Sequence, residues 1–163
     1  MPQVVQFLYL FSCYVMLPRI DFYLLKDSEE QSPWLLACRL LEKAYLRNHR
    51  VFVFCSNQED AYRLDELLWT FKDNSFIPHN LQGEGPEPPP PIQIGYQGEP
   101  RGFNDILLNL SHEIPTFYGR FRRIMEIVSN NEAAKAVSRN HYREYRMKQC
   151  EIHTHEIVLT PQS

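Results

Sequence analysis

The chain has 163 residues, 44% hydrophobic, 13% aromatic and 23% charged, with a net charge of −3. This length and balance suit one soluble domain with a single hydrophobic core, and the acidic total excludes a polyanion binder spread over the whole molecule. The charge is nevertheless uneven. Residues 56–87 carry Glu59, Asp60, Asp65, Glu66, Asp73, Glu84 and Glu87 against Arg63 and Lys72, a balance of −5. Residues 120–148 carry Arg120, Arg122, Arg123, Lys135, Arg139, Arg143, Arg146 and Lys148 against Glu126, Glu132 and Glu144, a balance of +5. Such a dipolar chain can offer two partners two different surfaces.

The first stretch, "VVQFLYLFSCYVML", is apolar but too short to span a bilayer easily. It also lacks the basic region and small-residue cleavage site of a signal peptide. Residues 1–18 are therefore expected to form a peripheral extension, read from a start codon ahead of Met16, outside a domain spanning 19–150. No membrane association is expected. Cys13, Cys38, Cys55 and Cys150 are widely spaced and make no C-x-x-C pair, which fits a reduced, cytoplasmic protein.

"DFYLL" (21–25) predicts a short buried strand. Ser32-Pro33 predicts a cap followed by proline at the first helical position, with Leu36, Leu40, Ala44 and Tyr45 continuing a helical stripe to about Asn48. "RVFVFC" (50–55) is a strongly β-type strand, and Ser56-x-x-Glu59 is a capping box opening a helix to about Phe71. "SFIPHN" is extended, and "GEGPEPPPP" (83–91) is a stiff loop. "IQIGY" (92–96), "DILLNL" (105–110) and "RIMEIV" (123–128) are further strand candidates, although the last could extend a helix begun near Pro115. Asn130 or Asn131 caps a final helix through about Lys148, and residues 151–163 form a polar tail. Strands alternating with helices predict a single α/β domain, a doubly wound and mostly parallel sheet with helices on both faces.

Such folds often bind nucleotides, but neither G-x-x-x-x-G-K-[ST] nor G-x-G-x-x-G occurs. Gly83-Glu-Gly85 leads into prolines and not into a helix N-terminus that could hold phosphate. Asp65-Glu66 reads as a solvated helix face. His79 beside Asn80 lacks a nucleophile pattern and reads better as a hydrogen-bonded structural histidine. Cys150-x-x-His153-x-His155 lacks a clear fourth metal ligand. No catalytic residue, metal or cofactor is expected.

Two helix faces carry more. On the second helix Ala61, Leu64, Leu68 and Phe71 share the side that must meet the sheet. Tyr62 and Trp69 lie together off that stripe, beside Glu66. Either the loop at 83–91 covers them, or they are an aromatic anchor for another protein. On the last helix Ala133, Val137, His141 and Tyr145 form the inward side, while Arg139, Arg143 and Arg146 make a basic outer stripe edged by Tyr142. That stripe is either a solvated face or a site for a short acidic peptide or a phosphate backbone.

"DFYLL", "AYRLDELLW", "SFIPHNLQGEGP", "DILLNL" and "RNHYREYR", in that order, closely resemble the chi subunit family of bacterial DNA polymerase III over residues 20–150. The resemblance implies a non-enzymatic clamp-loader accessory protein whose fold looks like that of nucleotide-binding proteins without their phosphate loop. It implies two binding surfaces. One takes the acidic, phenylalanine-ended tail of single-stranded DNA-binding protein on Arg139, Tyr142, Arg143 and the neighbouring Arg146, with Arg143 expected as the main charge contact. The other takes the psi subunit, or a helicase of the XPD-like type, on Trp69 and Phe76, with Tyr62 beside them. Nucleic acid would be reached only indirectly. The alternatives left open are a small nucleotide-dependent hydrolase using His79 and the 83–85 loop, and direct binding of single-stranded nucleic acid by the basic stripe.

Overall fold

A computed structural model describes residues 16–159. Its centre is one seven-stranded sheet ordered β3-β4-β2-β5-β6-β1-β7, with every pairing parallel. The strands are β1 (Arg19–Leu25), β2 (Val51–Phe54), β3 (His79–Leu81), β4 (Ile92–Gly95), β5 (Ile106–Asn109), β6 (Arg123–Val128) and β7 (Glu151–Ile157). The helices are α1 (Ser32–Leu46), α2 (Gln58–Thr70) and α3 (Glu132–Met147), with a short 3-10 turn at Tyr118–Arg120. From β1 the chain crosses through α1 to β2, then through α2 to β3, moving one way across the sheet. From β6 it crosses through α3 to β7, moving the other way. Right-handed crossovers then place α1 and α2 on one face and α3 on the opposite face.

Two clusters of buried side chains follow from this. Leu36, Leu41, Leu64 and Leu68 of the first two helices meet Val51, Val53, Ile92, Ile94, Ile106 and Leu108 of the sheet. On the other face Ile20, Phe22, Phe52, Leu107 and Ile124 meet Phe103, Phe121 and Tyr145. Burial pushes the Cys38 and Cys55 thiols up to about 12, so both are packing groups.

Several boundaries differ from the sequence reading. The α1 cap is Gln31, which makes no side-chain cap bond, and the stripe is centred on Leu41 more than on the half-buried Leu40. The α2 cap is Asn57, whose side chain accepts from the Asp60 N–H at 2.9 Å; Ser56 accepts instead from the His112 N–H at 3.1 Å. β6 is a strand and does not extend a helix. The largest difference is at the C-terminus, where residues 151–157 form β7 and pair along the whole length of β1. The sheet thus continues past residue 150, where the sequence reading ends the domain. Residues 1–15 of the expected N-terminal extension lie outside the described residues.

Both histidines of this last strand have partners. His155 stacks on Tyr23 at 5.0 Å and lies 2.7 Å from an Asp21 oxygen, and His153 lies 2.6 Å from Glu151. Cys150 is buried in the other face's cluster, so Cys150, His153 and His155 do not converge. Asp21 is fully buried and accepts from Arg19 and Arg123 as well. Burial works against its charge, but the hydrogen bonds from Arg19, His155 and Arg123 outweigh it and hold the carboxyl below its ordinary range.

Candidate functional site

The α3 helix begins at Asn131, whose side chain accepts from the Ala134 N–H at 2.8 Å. Of its sixteen residues only His141 and Tyr145 are buried; Ala133, expected on the inward side, is exposed. Both buried residues reach one carboxylate. Tyr145 Oη donates to Glu126 Oε1 at 2.7 Å, and His141 Nδ1 lies 2.7 Å from Glu126 Oε2. Asn109 Nδ2 also donates to Glu126 Oε1, at 3.0 Å, from the neighbouring strand position. His141 Nε2 lies 2.9 Å from the His112 carbonyl oxygen. Burial works against a charge on His141, but the hydrogen bond and charge of Glu126 outweigh it and raise its pKa above the ordinary value. Burial, then Glu126, push the Tyr145 hydroxyl strongly upward.

On the outer side Arg139, Arg143 and Arg146 are exposed. Tyr142 is 39% exposed, with its ring 5.9 Å from that of Phe22. Arg143 Nη1 donates to Asn140 Oδ1 at 3.4 Å. A cleft of about 240 Å³ runs between the N-terminal half of α3 and the carboxyl ends of β1 and β6. Leu24, Leu25 and Val128 line it together with Lys26, Lys135 and Arg139. Of the basic residues picked from sequence, Arg139 alone lines this cleft; Arg143 and Arg146 stand farther along the helix. Lys26 and Lys135 were not among them. Lys135 lies one turn before Arg139, so carrying the basic stripe back by one turn would have found it. Lys26 follows a buried strand and gives no such signal.

The second surface lies on the opposite face, near the β3 edge. Trp69 is 56% exposed, Phe76 66% and Tyr62 45%, so the 83–91 loop does not cover them. The Trp69 ring lies 5.8 Å from Phe76 and 4.7 Å from His79. The His79 ring nitrogens sit 2.6 Å from the Ile77 carbonyl oxygen and 3.2 Å from that of Asp65, which fixes the imidazole as a platform under the indole. Asn80 is equally engaged: its Nδ2 donates to the Glu84 carbonyl at 2.6 Å, and its Oδ1 accepts from Gln93 at 3.3 Å. Gly85 closes this loop at φ +83°, where a side chain would be strained and would meet Asn80. Tyr62 stands two turns up the helix and accepts from Gln58 Nε2 at 2.9 Å.

A basic cleft on one face and an aromatic platform on the other can be compared with known proteins. Residues 17–153 match the family model described as DNA polymerase III chi subunit, HolC. The chain belongs to the DNA polymerase III chi subunit family. A Pseudomonas aeruginosa protein named DNA polymerase III subunit chi is 32% identical over 139 residues, covering 85% of this chain and 96% of the relative. Proteins of the same name from Haemophilus influenzae and Escherichia coli are each 32% identical, over 84% and 73% of this chain and 96% and 82% of the relatives. The family match ends inside β7, so the strand beyond residue 150 begins within the shared region. No described helix is long and apolar enough to cross a membrane.

Proposed function

We propose that the protein is a non-catalytic accessory subunit of the bacterial replicase, joining the clamp loader to the acidic C-terminal tail of single-stranded DNA-binding protein. The observation that carries this reading is the cleft edged by Lys26, Lys135 and Arg139 over a wall of Leu24, Leu25 and Val128. A chain end that finishes in phenylalanine presents a ring and a carboxylate side by side. The wall suits the ring, and a guanidinium held at the rim suits the carboxylate, which it can bind bidentately. Arg143, Arg146 and the exposed edge of Tyr142 continue the surface along α3, where upstream acidic residues would lie. The Trp69–Phe76 platform takes the psi subunit or an XPD-like helicase. Its place on the opposite face of the sheet would leave both partners room to bind at once. Nucleic acid is then reached through these partners.

The test is a calorimetric titration with a synthetic acidic peptide ending in phenylalanine, the same peptide without that residue, and a scrambled acidic peptide. The intact peptide should bind best, and Arg139→Ala should weaken it more than Arg143→Ala does, because Arg139 alone of the two lines the cleft. Equal binding of the scrambled peptide would sink the assignment. Binding of an oligonucleotide in place of the peptide would favour direct single-strand recognition.

A further inference from the structure

The α3 helix is held to the sheet by different chemistry from α1 and α2. The first two bury leucines and alanines, whereas α3 buries His141 and Tyr145 on the single carboxylate of Glu126. Beside this contact a crevice of about 350 Å³ opens at the carboxyl ends of β5 and β6, with Ala134, Val137 and Ser138 on the helix side. The N-terminal half of α3 is therefore backed by this crevice and held at two places, at its start by Asn130, whose Nδ2 donates to the Lys26 carbonyl at 2.9 Å, and past its middle by the polar clamp.

The two ring nitrogens of His141 both face acceptors, Glu126 Oε2 at 2.7 Å and the His112 carbonyl at 2.9 Å. A neutral imidazole has one N–H and can donate to only one of them; an imidazolium satisfies both. Asp60 of α2 and His112 line the same crevice, and the groups that bear on His141 itself are Glu126 on β6, Asn109 on β5 through Glu126, the His112 carbonyl in the loop after β5, and Tyr145 and Glu144 on α3. The two charged members of this set, Glu126 and Glu144, both favour the protonated ring, in line with its raised pKa.

We propose that His141, as an imidazolium clamped between Glu126 and the His112 carbonyl, is the positioning residue of the peptide cleft. It fixes the N-terminal half of α3 and so sets how far Lys135 and Arg139 stand from the Leu24–Val128 wall. This rests on the reading of that cleft as the tail site. Loss of the proton leaves one acceptor without a donor and the Glu126 charge without its counter-ion, in a place where an unpaired charge is costly. The helix half next to the crevice then moves, and the cleft loses its fit.

The experiment uses the whole protein. The His141 ring is titrated by NMR from below the ordinary histidine value upward, for as long as the protein stays folded. Calorimetry with the phenylalanine-ended acidic peptide is run over the same range. Affinity should fall about tenfold, a typical coupling between sites, along the same curve as the His141 resonance. In Glu126→Gln both curves should move together to lower pH, and in His141→Gln the affinity should no longer depend on pH. His153→Gln should leave both curves in place. An affinity that ignores His141, or falls along another group's titration, overturns the proposal, and the wild-type curves alone decide this if a variant does not fold. Should the peptide bind at no pH, the tail reading fails separately. The clamp is then judged by whether the Lys135, Ser138 and Arg139 amide resonances follow the His141 titration, and amides that stay still overturn it.

Discussion

The α2 and α3 helices pack on opposite faces of one sheet and divide their residues in opposite ways. α2 buries Ala61, Leu64 and Leu68 and exposes an indole. α3 buries a histidine and a tyrosine on a carboxylate and exposes three arginines. An apolar contact is non-directional and indifferent to pH, so the Ala61, Leu64 and Leu68 packing should hold α2 in place wherever the protein is folded. A charged, hydrogen-bonded contact is directional, so the basic face of α3 inherits the geometry and protonation of what lies beneath it. The contrast shows that the outer surface of a helix cannot be understood apart from how its inner surface is held.

The sharpest way to break the comparison is to remove the inner contact on each side. Glu126→Ala removes the carboxylate shared by His141, Tyr145 and Asn109 and leaves those groups without their partner inside the protein, and should cost about 3–5 kcal/mol of stability. Leu64→Ala creates a cavity under α2 and should cost about 2–5 kcal/mol. Chemical denaturation measures both. If the two helices are held as described, alkaline pH should narrow the gap between wild type and Glu126→Ala and leave the Leu64→Ala gap unchanged. Next in size are the outer contacts. Arg139→Ala should weaken the acidic peptide by about 1.5–3 kcal/mol, roughly ten- to hundredfold, and leave the psi or helicase partner unaffected. Trp69→Ala should do the reverse, costing about 2 kcal/mol or more in partner binding with the peptide and the fold intact. Loss of both activities in either variant would show that the two surfaces are not separate.

Much of this contrast could be read from the residues. "RVFVFC" and "RIMEIV" are strongly β-type, and the apolar spacing of Ala61, Leu64 and Leu68 points one way only. What sequence reasoning missed was polar. Glu126 lies in β6 with the parity of Ile124 and Val128, both buried, so a carboxylate on the covered face was visible as a signal that partners were needed. Which partners could not be read, because Asn109, His112 and His141 converge only through the crossover topology. β7 was taken for a tail because "EIHTHEI" is polar at nearly every position. An edge strand pairs on one side only, and here Ile152 packs toward one face while His155 rests on Tyr23 on the other. The caps at Gln31 and Asn57 each missed by one residue, since neighbouring Ser, Asn and Gln all offer a cap and tertiary contacts choose among them.

The smallest effect expected is also the one that ties the two halves of the sheet together. Glu126–His141 clamps α3, and Asp21 gathers Arg19, Arg123 and His155 on the other face. Their linkage signs are opposite. His141 has a folded pKa above its unfolded one, so its contribution is fully present below the ordinary histidine value and is lost as pH rises through the raised folded value. Asp21 has a folded pKa below its unfolded one, so its contribution is present above the ordinary carboxylate value and is lost as pH falls through the lowered folded value. Each limb reports a single titrating group. Stability measured by denaturant titration should therefore form a plateau from above the ordinary carboxylate value to about neutral pH, with a decline on each side. Asp21→Asn should flatten the acid limb alone, and His141→Gln the alkaline limb alone. An alkaline limb that survives His141→Gln would assign that decline to another group and remove the pH-sensitive half of the comparison.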